Sequence, residues 1–232
     1  MTDRYAEIAQ LAGGLAHEIK NPLSTIRLNM DLLAEDLEEI DSPSARRAFR
    51  KIEVVQRECR RLEELLNDFL NFAGAHRLEL QPTDANRLIR ETIEFFRPKA
   101  EESKIEIIEY LASDLPSVLL DKRSFHRALL NLIINAQQAM PNGGQLVIRT
   151  RSGGNEIAVD LIDTGTGMEH ETLLHLFDAF FSTKRGGSGL GLATVSKIIE
   201  AHGGRIAVQS ELNYGTQFTI ILPCLPRLPI NN

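Results

Sequence analysis

The chain has 232 residues, 43% of them hydrophobic and 25% charged. That balance excludes a wholly disordered polymer and leaves room for one or two domains with sizeable cores. The net charge is −6, and neither residues 1–75 (10 basic, 14 acidic) nor the remainder (16 basic, 18 acidic) shows the basic excess of a nucleic-acid binder. Cys59 and Cys224 fit no disulfide scaffold or zinc spacing, no apolar run approaches the roughly 20 residues of a membrane span, and no signal core opens the chain. A reduced, cytoplasmic setting without a transmembrane segment is the expectation.

Apolar or small residues recur in steps of four and three through Ala9, Ala12, Ala16, Ile19, Leu23, Ile26, Met30, Leu33, Leu37 and Ile40, and again through Ala48, Ile52, Val55, Cys59, Leu62, Leu66, Phe69 and Ala73. These are two heptad seams, and Asp41-Ser42-Pro43-Ser44 between them supplies a turn, with Pro43 stopping one helix or starting the next. An antiparallel helical hairpin is predicted. Its acidic first end (Glu35, Asp36, Glu38, Glu39, Asp41) lies beside a basic second start (Arg46, Arg47, Arg50, Lys51), either neutralising each other or simply solvated. Ile8, Leu11, Leu15 and Leu32 widen the apolar stripe beyond a two-helix contact, which predicts a homodimeric four-helix bundle. His17 flanks the seam toward solvent, with Asn21 one turn later on its face and Pro22 freeing the Glu18 carbonyl beside it.

Residues 74–82 read as a connector with strand character at Leu78-Glu79-Leu80. Asp84 then caps a helix that runs to about Pro98. Strands are predicted at 105–110 and 117–120, a helix at 124–140, a strand hairpin at 145–151 and 156–162, a helix at 190–202, and strands near 205–210 and 216–222. The pattern is a mixed sheet with helices on one face.

Three features in this region suggest chemistry. The apolar helix 124–140 carries Asn131 and Asn135 on one face, either as satisfied core amides or as oxygen ligands for a hard cation such as Mg²⁺ (magnesium). Asp163 ends an apolar strand and opens Asp163-Thr164-Gly165-Thr166-Gly167, either an ordinary turn or a carboxylate accepting from the amino group of adenine. Gly186-Gly187-Ser188-Gly189-Leu190-Gly191-Leu192 leads into a helix, with Lys184 and Arg185 before it. Its glycines suit close approach to phosphate, but the spacing is neither the dinucleotide fingerprint nor a P-loop.

Taken in order, these features resemble the catalytic core of the two-component sensor histidine kinases, over roughly residues 5–224. Leu15-Ala16-His17-Glu18-Ile19-Lys20-Asn21-Pro22-Leu23 looks like the phosphoacceptor box and Asn131-Leu132-Ile133-Ile134-Asn135-Ala136 like the N box. Asp163-Thr164-Gly165-Thr166-Gly167 looks like the first glycine box, Phe177-Asp178-Ala179-Phe180 like the F box, and residues 187–192 like the second glycine box. The resemblance implies an α+β organisation: a dimerisation and histidine-phosphotransfer hairpin over 1–75, a linker over 76–84, a Bergerat-type α/β sandwich binding ATP over 85–224, and a tail over 225–232.

It further implies ATP-dependent phosphorylation of His17 and transfer to an aspartate of a response-regulator receiver domain docking near Lys20, Ser24 and Arg27. Glu18 would orient the imidazole or take its proton. Asn135 with Asn131 would hold Mg²⁺ against the phosphates, Asp163 would read adenine, and Gly165 and Gly167 would shape its pocket. Lys184, Gly187, Gly189, Leu190 and Gly191 would form the lid and phosphate end, with Phe177 and Phe180 packing the lid on the domain. The family often has proline at the position of Ala179. Glu18 and Asn21 match a Glu-x-x-Asn pattern associated with phosphatase action on the regulator. Gyrase-like and chaperone-like ATPases carry a water-activating glutamate where Asn131 stands, so simple ATP hydrolysis is the weaker reading. A dimeric nucleotide-sensing scaffold is the non-enzymatic alternative.

Overall fold

A computed structural model describes residues 2–38, 40, 42–74, 78–184 and 187–225, with side chains from Ile19 onward. The chain divides into two compact units, Met1–His76 with Lys184–Leu190, and Arg77–Thr183 with Gly191–Asn232.

The first unit contains α1 (Thr2–Glu38) and α2 (Pro43–Ala73). Pro43 starts the second helix rather than ending the first, and Ser42 caps it by accepting from the Ala45 N–H at 3.1 Å. The hairpin is antiparallel. Gln56 Nε2 donates to Asp31 Oδ1 at 2.7 Å, and Arg27 faces Glu63 at 3.7 Å. Leu23, Ala45, Ile52 and Cys59 are buried, whereas the seam residues Ile19, Ile26, Leu33, Val55 and Leu62 remain exposed in the single chain.

The second unit is a five-stranded mixed sheet in the order β2-β4-β5-β7-β6, covered on one face by helices. Its strands are β2 (Ile105–Tyr110), β4 (Gly144–Gly153), β5 (Glu156–Asp163), β6 (Arg205–Glu211) and β7 (Gly215–Pro223), with β2 parallel to β4 and the other pairs antiparallel. A separate two-stranded piece pairs β1 (Gln81–Thr83) with β3 (Val118–Leu120). The strand therefore begins just after the predicted Leu78-Glu79-Leu80. The helices are α3 (Ala85–Glu102), α4 (Lys122–Ala139), the short α5 (His170–His175) and α6 (Gly191–Ala201). Helix α3 passes through Pro98 instead of stopping there, because the turn beyond it buries Ala100.

Period-two alternation sends Ile157, Val159, Leu161 and Phe218, Ile220, Leu222 into the helix-covered core with Ile89, Ile93, Phe125, Leu129, Leu132 and Ile133. Buried polar groups then fix the helices. Asn86 donates to the Ala112 carbonyl at 2.7 Å and accepts from Thr150 at 2.9 Å, tying α3 to β4. Asp121 caps α4 through the Ser124 N–H at 2.8 Å and also accepts from the Glu79 N–H at 3.0 Å. Burial resists its charge, but these hydrogen bonds prevail and hold its pKa below the ordinary carboxylate value. His202 at the end of α6 bridges to the same cap: Nε2 accepts from the Asp121 N–H at 3.0 Å and Nδ1 meets the Ile198 carbonyl at 2.7 Å.

On the opposite face of the sheet, the fully buried Asp160 carboxylate receives Arg149 at 3.0 Å, Arg151 at 3.1 Å and the Thr219 hydroxyl at 2.8 Å. Burial works against its charge, yet Arg151, Thr219 and Arg149 outweigh it and lower the pKa. A carboxylate with a lowered folded-state pKa stabilises the fold above its unfolded value, about 3.9, and that contribution fades as pH falls through the folded value. Asp160→Asn is therefore expected to cost about 2 kcal/mol at pH 7. Denaturant melts should show the gap to the unsubstituted chain narrowing below about pH 4; a gap independent of pH would contradict this.

Candidate functional site

In the second unit the site is built from one helix and one strand end. Asn131 and Asn135 lie four residues apart on α4 and are half-buried, while Ala128, Leu129, Leu132, Ile133 and Ala136 pack into the core beside them. Asn131 directs its Nδ2 at the Gly191 carbonyl, 3.4 Å away at the start of α6, so its Oδ1 is the atom that can meet a cation.

Asp163 ends β5 buried, and its Oδ1 accepts from the Gly165 N–H at 2.9 Å. The loop that follows is seated on the C-terminal end of α4: the Thr166 N–H donates to the Ala139 carbonyl at 3.0 Å, and the Thr164 hydroxyl lies 3.7 Å from Met140 Sδ. A Cβ on Gly165 would stand 2.7 Å from the Ala139 carbonyl oxygen, so only glycine permits this approach. Gly167 has φ +64, and a Cβ there would overlap the Glu211 carbonyl. The β6–β7 hairpin holds the other side of the loop, with Asn213 N–H on the Thr166 carbonyl at 2.7 Å and Met168 N–H on Ser210 Oγ at 2.9 Å.

Asn131, Asn135, Asp163, Gly165, Gly167 and Gly191 all lie in the second unit, with the loop after β5 tied to the C-terminal end of α4 and Asn131, mid-helix, tied to Gly191. Lys184, Gly187, Gly189 and Leu190 fall in the segment that groups with the first unit. His17 and Glu18 lie on the backbone of α1, but their side chains are outside the described residues. Asn21 is exposed on α1. Phe177 packs against the core of the second unit as expected, but Phe180 does not: it sits at φ +69 and is 66% exposed.

Two further residues lie beside these positions. Thr216 lies directly opposite Asp163 in the β5–β7 register, buried, with its hydroxyl 2.9 Å from Ser210 Oγ. Arg127 precedes Asn131 by one helical turn and is half-buried. Thr216 follows a glycine turn and gives no periodic signal of its own; Arg127 was visible as a cation four residues before Asn131 in an apolar helix.

Among the described residues, no cluster of three histidine, cysteine or acidic side chains is arranged for a metal. The two amide oxygens on α4 nevertheless suit Mg²⁺, a hard cation that takes few protein ligands when phosphate and water complete its shell. No described helix is long and apolar enough to cross a membrane.

Two family models match the chain: the His Kinase A (phospho-acceptor) domain over residues 7–76, and the Histidine kinase-, DNA gyrase B-, and HSP90-like ATPase over residues 120–226. Among curated proteins it is 31% identical over 226 residues to the signal transduction histidine-protein kinase AtoS and 33% identical over 222 residues to the sensor histidine kinase ZraS, both of Escherichia coli K12. Those alignments cover 97% and 95% of this chain but 36% and 46% of the relatives, so the chain spans less than half of their length. Among solved structures, full-length ShkA in complex with AMPPNP matches with TM-score 0.76 and 29% identity over 95% of this chain and 47% of that one. The histidine kinase ThkA in complex with response regulator protein TrrA matches with TM-score 0.67 and 25% identity over 97% of this chain and 64% of that one.

A phosphoacceptor helical hairpin joined to an ATPase domain of the kinase, gyrase and HSP90 type is the architecture of a two-component signalling core. The chain belongs to the sensor histidine kinases and contains their catalytic core.

Substituting Gly167 by alanine should lower the melting temperature and also weaken the binding of adenine nucleotides by about 10-fold or more, since it forces a left-handed residue into the Glu211 backbone. Gly154→Ala, also at positive φ but in open space, is expected to cost stability alone. Calorimetry with a non-hydrolysable ATP analogue separates the two, and equal loss of affinity in both variants would contradict the assignment.

Proposed function

We propose that this chain phosphorylates its own His17 with ATP and passes the phosphoryl group to an aspartate of a response-regulator receiver domain. The observation that carries the reading is the seating of Asp163 and its glycine loop on the end of the helix that presents Asn131 and Asn135. Adenine presents an amino donor that suits the Asp163 carboxylate, whose buried position excludes competing water. Thr216, opposite it, supplies a hydroxyl at the same end. Mg²⁺, held by the amide oxygens of Asn135 and Asn131, would neutralise phosphate charge. The AMPPNP carried by ShkA supports an ATP-type ligand, and the ThkA–TrrA complex supports a response regulator as acceptor.

In the transfer step an unprotonated His17 nitrogen attacks the γ-phosphorus in line with the departing ADP oxygen. An N–P bond forms as the P–O bond breaks, and the proton on the other ring nitrogen passes to Glu18. Lys20, Ser24 and Arg27 form the flank on which the receiver domain docks, and Asn21, exposed on the same helix, positions water when the phosphorylated regulator is hydrolysed. A second copy of the chain covers the exposed seam residues Ile19, Ile26, Leu33, Val55 and Leu62, completing a four-helix bundle.

Incubation with ATP labelled at the γ position should give an acid-labile label on the protein. The label should vanish in His17→Gln, which retains nucleotide binding, and should fall at sub-saturating ATP in Asp163→Asn, which loses about 10-fold or more in affinity. Label persisting in His17→Gln would contradict the reading. Light scattering should report a dimer that Leu33→Glu converts to monomer, because a charge placed in the second-copy interface has no partner.

A further inference from the structure

Asp163, Thr216 and Ser210 form a row across three strands. Thr216 on β7 lies opposite Asp163 on β5 and, on its other side, opposite Ser210 on β6. Alternation along each strand puts the three side chains on the helix-covered face, in line with Leu161, Phe218 and Val208. Asp163 and Thr216 are 5% and 6% exposed. A hydroxyl so deep meets a ligand as donor or as acceptor according to where its one hydrogen points.

The hydrogen bonds of Ser210 decide that direction. A serine hydroxyl has one hydrogen and two lone pairs. Ser210 Oγ donates its hydrogen to the Gly215 carbonyl at 2.9 Å and accepts the Met168 N–H at 2.9 Å. Its remaining bond, 2.9 Å to Thr216 Oγ1, must therefore use the Thr216 hydrogen. Thr216 then turns lone pairs to whatever meets it, and the Asp163 carboxylate beside it is an acceptor as well. The backbone holds the row tightly, since a Cβ on Gly215 would overlap the Asp163 carbonyl and the Asn213 N–H binds the Thr166 carbonyl at 2.7 Å.

We propose that Ser210 is a positioning residue for nucleotide choice: by taking the Thr216 proton it fixes Thr216 as an acceptor that, beside Asp163, selects a purine bearing an amino group over one bearing a carbonyl. The proposal deepens the reading of the second unit as an ATP site and rests on it. Directly opposed residues of antiparallel strands carry Cβ atoms about 5 Å apart, and two acceptors sharing the hydrogens of one trigonal amino group are separated by about the same distance. An amino group satisfies both acceptors. A carbonyl oxygen would face lone pairs at both, a costly arrangement where burial keeps water out.

The test is titration calorimetry of ADP and inosine diphosphate, each with Mg²⁺, against the unsubstituted chain, Ser210→Ala, Ser210→Thr, Thr216→Val and the double variant Ser210→Ala with Thr216→Val, with a melting temperature for each. The unsubstituted chain should prefer ADP. In Ser210→Ala the released Thr216 hydroxyl can donate to the inosine carbonyl, so the preference should shrink about 3-fold or more, while Ser210→Thr, which keeps the hydroxyl, should hold it within about 2-fold. Thr216→Val leaves the Ser210 bonds to Gly215 and Met168 in place and should shrink the preference by a similar factor, which tests the proposal even where Ser210→Ala does not fold. The double variant should match Thr216→Val. Equal weakening of both nucleotides in a folded Ser210→Ala, an unchanged preference in Thr216→Val, or a further loss in the double variant overturns the proposal and leaves the ATP reading standing. An unsubstituted chain that binds neither nucleotide overturns the ATP reading and this proposal with it.

Discussion

The site depends on one backbone hydrogen bond and the space around it: the Thr166 N–H meeting the Ala139 carbonyl where the loop after β5 rests on the end of α4. A helix end leaves carbonyls without intrahelical partners, and a strand end leaves the chain free to turn; each satisfies the other here. The consequence is chemical. A buried carboxylate from the sheet and a stripe of amides from the helix are brought to a common edge, and Gly165 is required because any side chain would push that edge apart.

Both ends of α4 are fixed by such exchanges. At its start, Asp121 accepts two backbone N–H groups while its own N–H is taken by His202 from the end of α6. A helix pinned at both ends cannot rotate without stranding buried polar groups, so the direction of its Asn131 and Asn135 face is set by the fold. The hairpin unit is built on the opposite principle. Among the described residues its buried set of Leu23, Ala45, Ile52 and Cys59 is short, and the large apolar side chains left at the surface are those the proposed second copy would cover.

Much of this was legible in the sequence because the signals were periodic. Heptad spacing gave the two long helices and their antiparallel turn, and alternation gave the central strands β4, β5 and β7 within a residue or two. The paired asparagines stood out as polar residues in an apolar run, and Asp163 as a carboxylate closing a strand. What escaped was set by contacts distant in the chain. The continuation of α3 past Pro98 depends on burying Ala100, the β1 register on pairing with Val118–Leu120, and the position of Thr216 on the pairing that sets it opposite Asp163. Helix α5 is too short for a periodic signal, and the exposure of Phe180 follows from a left-handed backbone that composition does not announce.

The central claim is that Asp163 reads the amino group of adenine while α4 holds the phosphates. Calorimetric comparison of ATP with inosine triphosphate tests it most directly, since the two differ at that ring position, where an amino donor is replaced by a carbonyl acceptor that a carboxylate repels. The account predicts that ATP binds at least ~10-fold more tightly, a difference of about 1.4 kcal/mol, and that the preference collapses in Asp163→Ala. Equal affinity for the two nucleotides in the unsubstituted chain would contradict it.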